Sequence, residues 1–535
     1  MTQKSVGNTI NSIAAMVIRL TGAGIFVFLS WYAFRYSQYM DPAVGEFPVN
    51  VRDSMIRNLV FVLGVLLLYV GCQLLERRMA DRQKVLQWSL WMILAAVTAG
   101  MGISGYRWIS ETVRPPEGDQ LYAYVSAVSF ASGDYSALLP DGYCGIYPHQ
   151  LGFTAILELF FKITGSREFY VWQKFNVLCL MGIVILGEAT VKEMGGKWAD
   201  RMLYCLLTAG CFPMVFYTGW VYGEMLSVLC SLAVGYMMLK YAKDRKTGWL
   251  LGALPVIILG MLVRKNFLIP VIAVALTAIV WSIVQNDRKV LLFAGLAVLL
   301  PLVSYRGVYT MYEVRSGYEH SEGLPVTSWI SMGLQENQGR YGWYYDYPLT
   351  IYREADGDPE IVSEVVKADI RDRLRAFKDS LGYTWNFFRE KVLSEWNEPL
   401  YQSLFFTTNF REEYRPDPES IAGRITVGGA WFHRIFSICD RLQFLLYLGM
   451  LCYFCFAVKK DSSMLLHVSA VTVIGGFLFS IFWEAKARYI FPYYVIMYPQ
   501  AVTGYRCLLL AVREKVSRRK TGKKKDKVVS IDKAA

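Results

Sequence analysis

Charged residues are scarce in this chain of 535 residues. Asp, Glu, Lys and Arg together make up 19% of it, whereas hydrophobic residues make up 54%. A soluble chain normally carries about a quarter charged residues. Most of the expected helices also lack a polar face, because the apolar residues stand in uninterrupted runs such as 61–70, 271–284 and 290–303. These absences exclude a soluble protein and indicate an all-α polytopic membrane protein, since lipid offers no partners for an unpaired backbone.

Three further features are lacking. No disulfide framework is indicated, because of ten cysteines only Cys144 falls in a clearly polar external stretch and the others are expected to pack in or beside apolar runs. The first residues lack a small-residue cleavage site, so we expect the first span to be retained. The chain has no strict internal repeat, and its basic end is its one low-complexity segment.

Positive charge is concentrated at the end of the chain. The net charge is +12, and much of it lies on Arg513, Lys515, Arg518, Arg519, Lys520, Lys523, Lys524, Lys525 and Lys527. A basic cluster directly after a final span predicts a cytoplasmic end that contacts anionic membrane lipids. A nucleic acid is therefore not expected as a partner.

The hydrophobic runs predict about twelve transmembrane helices. They are expected near 12–34, 58–75, 87–105, 170–190, 202–218, 221–241, 249–263, 267–285, 289–305, 435–457, 463–482 and 489–511. Their orientation follows from short basic loops containing Arg77, Arg78, Arg82, Lys84, Lys192, Lys197, Arg201, Lys243, Arg245, Lys246, Lys459 and Lys460. Placing these loops in the cytoplasm is consistent with the order of all the spans.

This topology predicts five parts of the chain. They are an N-terminal helical hairpin module (1–86), a transmembrane core (87–305) with a first external loop (106–169), an extracytoplasmic domain (306–434), C-terminal transmembrane helices (435–511) and a basic cytoplasmic tail (512–535). Residues 151–164 are apolar but too short to cross comfortably, so we expect a helix at the outer interface.

The extracytoplasmic domain is expected to be mostly helical. Asp358-Pro359-Glu360 is typical of a helix start. The expected buried stripe of this helix comprises Ile361, Val365, Ile370, Leu374 and Phe377. A second helix is predicted over 384–396.

Polar motifs are expected to converge on the outer face. They are Glu117-Gly118-Asp119-Gln120, Tyr147-Pro148-His149-Gln150, Tyr222-Gly223-Glu224, Arg264-Lys265-Asn266 and Trp483-Glu484-Ala485-Lys486-Ala487-Arg488-Tyr489. Ionisable residues near a membrane are costly and therefore indicate function. Each motif alone has an ordinary explanation as a solvated loop or as a pair of side chains that reach out of the bilayer.

The order of these motifs, with Gly342-Trp343-Tyr344 between the last two, resembles the C-type glycosyltransferase superfold (GT-C, family 39-like). The branch is that of the protein O-mannosyltransferases and the lipid A aminoarabinose transferase, and the resemblance covers about residues 87–511. It implies a GT-C-like fold and a multi-pass protein of the cell membrane with its active site on the extracytoplasmic face. It also implies an enzyme that moves a sugar, with inversion, from a polyprenyl-phosphate-linked sugar to an extracytoplasmic acceptor. Polysaccharide, teichoic acid, lipid and protein acceptors remain open.

The resemblance also implies roles for individual residues. Asp119 takes the place of the catalytic carboxylate, and the donor phosphate is expected to contact Lys265, Arg264 and Arg488. Substrate-binding roles are implied for Glu117, Tyr147, His149, Gln150, Tyr222, Glu224, Trp343, Glu484, Lys486 and Tyr489. Gln120 stands where relatives often carry a second acid, so participation of a divalent cation stays open. For Asp119 to act as a base, burial beside aromatic residues has to raise its pKa.

Three other functions remain as alternatives. A transporter or lipid flippase would use the charged residues as gates, but such proteins tend to have repeats and charges at mid-membrane. A polysaccharide polymerase or ligase would also carry a large external loop. A scaffold without enzymatic activity would act through that loop alone.

Overall fold

The structure of the chain is a computed structural model that describes residues 3–40, 46–405 and 414–532. It begins with helix α1 (Gln3–Ala33), the antiparallel strands β1 (Tyr36–Met40) and β2 (Pro48–Arg52), and helices α2 (Met55–Arg78) and α3 (Gln83–Glu111). The all-helical prediction did not anticipate this hairpin. Its outer end is joined to the later part of the chain, because the amide of Gln38 donates to the carbonyl of Asn397 at 2.8 Å.

Three helices follow outside the membrane-spanning set. They are α4 (Asp119–Ala131), α5 (Tyr143–Ile146) and α6 (Leu151–Thr164). Helix α6 has the predicted bounds and ends at Gly165, whose φ of 68° is the left-handed conformation that glycine accepts. The buried carboxylate of Glu158 fixes α6 by accepting hydrogen bonds from Lys162 and Arg315, each at 2.6 Å.

The central membrane domain contains seven helices. They are α7 (Phe169–Glu193), α8 (Trp198–Ala209), α9 (Phe212–Phe216), α10 (Glu224–Asp244), α11 (Thr247–Val263), α12 (Leu268–Gln285) and α13 (Arg288–Ser316). The span formed by α8 and α9 is bent by 57° at the break between them. Pro213 lies in the first turn of α9 and has no amide hydrogen with which to continue the preceding helix, so the break falls where proline is tolerated.

The outer domain is mostly helical, as expected. It contains α14 (Thr327–Leu334), the two-residue strands β3 (Glu336–Asn337) and β4 (Arg340–Tyr341), α15 (Tyr347–Glu354), α16 (Pro359–Asp379), α17 (Leu381–Trp396) and α18 (Ile421–Ile425). The predicted start of α16 is confirmed, because the Asp358 carboxylate accepts from the amide of Glu360 at 2.8 Å. The second predicted helix is also present, as α17.

The predicted buried stripe of α16 is partly wrong. Ile361 and Leu374 are 47% and 53% exposed, whereas Val362 and Val366 are fully buried. The helix packs against α14 through the side that carries these two valines, so the buried face is rotated by about one residue from the predicted one. Phe377 is buried as expected.

The last helices return to the membrane. They are α19 (Phe432–Cys452), extended by a π-helical turn (Tyr453–Ala457), α20 (Val468–Phe482) and the long α21 (Ala487–Asp532). The side chains of the predicted basic tail from residue 519 onward lie outside the described part of the chain. Helix α1 packs against α12 and α19, and the division of the chain at residue 86 stays a prediction.

The prediction of a polytopic membrane protein is confirmed. Within the described residues, ten helices are long and apolar enough to cross a membrane, and the bent pair α8–α9 makes an eleventh. The shorter apolar helix α11 occupies the remaining predicted span. The fold therefore places the connections after α1, α3, α9, α11, α13 and α20 at one face and the other connections at the opposite face.

Replacing Gly504 with alanine should loosen the contact between α19 and α21. A Cβ atom at Gly504 would overlap the carbonyl oxygen of Gly449, and backbone cannot move aside as a flexible side chain can. We expect a lower thermal unfolding midpoint for purified Gly504→Ala. The control is Gly295→Ala in α13, where a Cβ meets nothing within 4 Å and alanine favours the helix. Equal midpoints for the two variants would contradict this packing.

Candidate active site

A cavity of about 550 Å³ lies at the face where the predicted polar motifs meet. Predicted site residues from three separate parts of the chain line it. They are Glu117, Asp119, Tyr147, His149, Gln150, Glu484, Lys486, Arg488 and Tyr489. The expected convergence of the first, second and last motifs is therefore present in the structure, while the role of each residue stays a prediction.

An ion pair joins the two most distant of these motifs. Nη2 of Arg488 donates to Oδ2 of Asp119 at 2.7 Å, across 369 positions of sequence. Asp119 is the first residue of α4, and the neighbouring Gln120 fastens that helix by accepting a hydrogen bond from the amide of Val221 at 2.8 Å. Arg488 stands at the start of α21, and its amide donates to the side chain of Gln402. Both charged groups are thus held by elements on either side of the cavity.

The ion pair decides the protonation of Asp119. Burial acts to raise the pKa of this carboxyl, but the charge and hydrogen bond of Arg488 outweigh burial and leave the pKa lowered. Lys486 and His149 act in the same direction as Arg488. The raised pKa expected for a base at this position is therefore wrong, because an arginine lies in direct contact with the carboxylate.

A second carboxylate in the same cavity behaves differently. Burial raises the pKa of Glu484 to about 7, although Lys486 and Arg488 act to lower it. The hydroxyl of Tyr489 donates to this carboxylate at 3.3 Å. Two acids of one cavity are therefore separated in pKa by their surroundings, which is the arrangement that lets one group hold a proton while the other is ionised.

His149 stands between this cavity and a smaller one. It belongs to a short turn (Pro148–Gln150), whose carbonyls accept hydrogen bonds from Tyr305 at 2.6 Å and Tyr309 at 2.9 Å of α13. The imidazole meets the ring of Trp329 edge-on at 5.1 Å. Burial lowers the pKa of His149 to about 4 against the opposing charge of Asp119, so the ring is neutral near pH 7.

The smaller cavity has a volume of about 270 Å³ and carries the basic motif. It is lined by Tyr222, Arg264 and Lys265, and it shares His149 and Tyr489 with the larger cavity. Within the described residues Lys265 forms no ion pair, and its ammonium group lies over the ring of Tyr305 at 4.2 Å. Its positive charge is therefore available to an anion in this cavity.

Arg264 is already paired with an acid. Its Nη1 donates to Oε1 of Glu224 at 2.7 Å, and both side chains are largely buried. Glu224 is the first residue of α10 and lines neither cavity. The structure thus brings these two predicted residues together, with Arg264 at the wall of the smaller cavity and Glu224 behind it. In the part of the chain that the structure describes, Lys265 is the cation of the basic motif that lacks an acidic partner.

Trp343 also lies away from both cavities. Its indole nitrogen donates to Ser394 at 2.9 Å, and its backbone pairs with Ala485 as an isolated bridge. A substrate-binding role for Trp343 stays a prediction, and its contacts hold the last motif in place. Lys486 pairs with Glu46, and Glu117 pairs with Arg114.

Sequence reasoning missed a layer of buried polar residues behind the last motif. The ammonium group of Lys391 is fully buried and donates to the carbonyls of Gly333, Ile481 and Trp483 at 2.5–2.9 Å. Glu395 accepts from the amide of Lys486, and Glu398 accepts from the amide of Gln402. The sequence did contain a signal for this layer. A polar stripe at helical spacing runs beside aromatic residues and consists of Lys391, Glu395 and Glu398.

A metal centre is not assigned to this site. Among residues 3–40, 46–405 and 414–532 no three His, Cys, Asp or Glu side chains are grouped closely enough to hold an ion. Gln120 takes the position of a second acid and is engaged with Val221, and Glu117 is engaged with Arg114.

Glu484→Gln should remove a pH-dependent loss of stability. Burial raises the folded-state pKa of Glu484 from 4.5 to about 7. The protonated carboxyl therefore stabilises the fold below about pH 4.5, and this contribution is lost as the pH rises through about 7. We expect the unfolding midpoint of Glu484→Gln, relative to wild type, to increase between about pH 5 and about pH 8. The control is Glu319→Gln, because Glu319 is exposed. A difference in midpoint between Glu484→Gln and wild type that is independent of pH would contradict the raised pKa of Glu484.

The comparison with known families agrees with this arrangement. A model of the family described as dolichyl-phosphate-mannose-protein mannosyltransferase matches residues 148–306. The matched stretch runs from the turn that carries His149 into α13 and includes Glu224, Arg264 and Lys265. No curated protein matches the chain. The family match over this part of the chain and the multi-pass helical fold together support a GT-C-like membrane glycosyltransferase.

Proposed function

We propose that the chain transfers a sugar from a polyprenyl-phosphate-linked donor in the smaller cavity to an acceptor in the larger cavity. The observation that carries this proposal is the junction of the two cavities. Asp119 lines one and Lys265 lines the other, and His149, Gln150, Trp329 and Tyr489 belong to both. A sugar at the junction would face a carboxylate on one side and a cation on the other.

The smaller cavity is suited to the phosphate of the donor. It lies where α11 ends and α12 begins, and these apolar helices bring its opening to the membrane boundary. A lipid-linked phosphate reaches a protein at this depth, because its hydrocarbon chain stays in the bilayer. Lys265 supplies a positive charge, and Arg264 is screened by Glu224. The basic loops of the opposite face support an extracytoplasmic position for this site.

The reaction would be a single displacement at the anomeric carbon. The bond from that carbon to the phosphate oxygen breaks, and a bond to the acceptor oxygen or nitrogen forms on the opposite side, with inversion. The acceptor loses a proton to Asp119, and the phosphate leaves with the electron pair of the broken bond. Lys265 and Arg488 would stabilise the charge that develops on the phosphate, which is the kind of interaction that lowers such barriers most.

Arg488 would serve both partners of the reaction in turn. While it is paired with Asp119, it lowers the pKa of this carboxyl, which makes the carboxylate a weak base. A donor phosphate offers a second anion to the same guanidinium, whose planar fork suits phosphate oxygens. When the phosphate draws Arg488 away, the opposing effect of burial raises the pKa of Asp119. The base would therefore become effective once the donor is bound.

Glu484 is the second acid that could hold the acceptor. Its pKa of about 7 is close to the value suited to proton transfer at neutral pH. It lines the larger cavity together with Lys486 and Tyr489. We assign Asp119 the proton transfer because the resemblance places the catalytic carboxylate there, and we assign Glu484 a hydrogen bond to the acceptor.

A transporter or flippase is the main alternative, and the distribution of charge favours transfer over transport. The paired residues Asp119, Arg488, Glu224 and Arg264 all lie at one end of the membrane domain. A transporter of the repeat type would place such groups near mid-membrane. A polymerase or ligase would differ in its donor, which carries a diphosphate, so an assay with a monophosphate donor distinguishes it.

Asp119→Asn should abolish sugar transfer. The amide cannot accept the acceptor's proton, and loss of a general base typically costs about 10²–10⁴-fold in rate. The measurement is release of polyprenyl phosphate from a polyprenyl-phosphate mannose donor by the purified chain. The control is Asp134→Asn, an exposed aspartate after α4 whose carboxylate caps the amide of Ser136. Full activity of Asp119→Asn would remove this residue from the mechanism.

Lys265→Gln should weaken use of the donor. Removal of one fixed cation from a leaving phosphate typically lowers the rate about 10²–10³-fold. We expect the loss in kcat/KM for the donor. Lys174→Gln is a matched control, because Lys174 lies over Tyr170 at 4.6 Å much as Lys265 lies over Tyr305, but lines neither cavity. An equal loss in both variants would contradict a phosphate-binding role for Lys265.

A further inference from the structure

A large cavity lies at the end of the membrane domain opposite the active site. Its volume is about 940 Å³. It is enclosed by the end of α2 and the start of α3, by the connection between α7 and α8, and by α21 beyond residue 505. None of these stretches contributes to the two cavities described above.

The wall of this cavity is rich in positive charge. Five basic residues line it, namely Arg77, Lys197, Arg201, Arg506 and Arg513, against two acidic residues, Glu76 and Asp200. These cations come from three separate stretches of the chain. Basic loops alone satisfy the charge rule for membrane orientation, but they do not require the side chains to surround one space.

The two acids are already engaged with protein groups. Asp200 accepts hydrogen bonds from the hydroxyl of Tyr69 and, at 2.7 Å, from the amide of Lys197. Glu76 accepts from the amide of Trp198 at 3.1 Å. Arg201 is in turn paired with Glu188, which is not part of the wall. The remaining basic residues, Arg77, Lys197, Arg506 and Arg513, still outnumber the two acids, so the cavity keeps an excess of positive charge.

Several of the basic groups have donors to spare. Arg77 and Lys197 are exposed and form no ion pair among the described residues. Nη1 of Arg506 is buried without a hydrogen-bond acceptor, and its nearest acid is Asp200 at 4.0 Å. A buried donor without an acceptor is costly, so an anion in the cavity would satisfy it.

One side of the cavity is apolar. Leu86 and Leu90 of α3 line it as buried side chains, whereas Leu510 of α21 is 49% exposed. A small inorganic anion would leave Leu510 without an apolar partner. A molecule with an anionic head and a hydrocarbon chain would use both kinds of wall.

We propose that this cavity binds the phosphate headgroup of an anionic lipid from the leaflet opposite the active site. The phosphate lies among Arg77, Lys197 and Arg506, and the first part of an acyl chain lies along the exposed Leu510. Arg513 already joins α21 to α2 by donating to Gln73, and the lipid adds a second connection between these helices. The proposal is independent of the sugar-transfer reaction.

The test is native mass spectrometry of the full-length protein in neutral detergent, titrated with phosphatidylglycerol or with phosphatidylcholine of equal chain length. We expect one phosphatidylglycerol to remain bound at activation energies that remove phosphatidylcholine. Arg77→Gln/Lys197→Gln should bind phosphatidylglycerol roughly 30-fold more weakly, as expected for two basic groups near an anionic headgroup. Leu510→Ser should also weaken binding, through the apolar wall.

The control is Lys459→Gln/Lys460→Gln, which removes two exposed positive charges from the same face without touching the cavity. Its affinity for phosphatidylglycerol should equal that of the wild type. An equal loss in both double variants would show general attraction between a basic surface and an acidic lipid and would overturn the proposal. Displacement of the lipid by millimolar inorganic phosphate, with no effect of Leu510→Ser, would likewise overturn it in favour of a free anion.

Discussion

Charge compensation among buried ionised side chains is the constraint on which this architecture depends. Arg488 is 5% exposed, and a buried guanidinium without a partner would cost several kcal/mol. Asp119 supplies the partner from the other end of the chain, so α4 and α21 have to meet. Glu224 does the same for Arg264, and Glu46 for Lys486. Each pair joins segments that are distant in sequence, and together they draw the outer connections around one space.

Pairing also determines where a further anion can bind. Since Arg264 and Lys486 are neutralised by their acids, the positive charge left at the junction belongs to Lys265. Arg488 is paired with Asp119, and on the proposed mechanism it is shared between Asp119 and the donor phosphate. Behind this layer, Lys391 holds three carbonyls that come from the ends of α14 and α20. The last motif is thereby fixed between two buried polar layers, which limits the reorganisation that the site needs when charge develops on a leaving group.

The membrane helices were predictable because hydrophobic runs leave few alternatives in lipid. The common face of the motifs was also predictable, since the basic loops and the order of the spans determine which connections lie together. The contacts between individual residues were not predictable, because the number of helices determines on which side of the membrane a residue lies but not its distance from other residues. The pairing of Arg264 with Glu224, the position of Trp343 away from both cavities and the lowered pKa of Asp119 all depend on such contacts. The predicted buried face of α16 was wrong by one residue for a similar reason. This helix has apolar residues on two adjoining faces, and the face that is buried is the one that packs against α14.

The same contact with Arg488 that makes Asp119 a weak base gives the proposed reaction its selectivity. Water can enter a cavity of this size at any time, and a strong base there would direct water onto the donor sugar. With Arg488 paired to it, Asp119 stays ionised and of low basicity. On the proposed mechanism, the donor phosphate competes for Arg488, and the basicity of Asp119 rises while the acceptor occupies the place of water. A single guanidinium between two anions then links binding of the donor to activation of the acceptor.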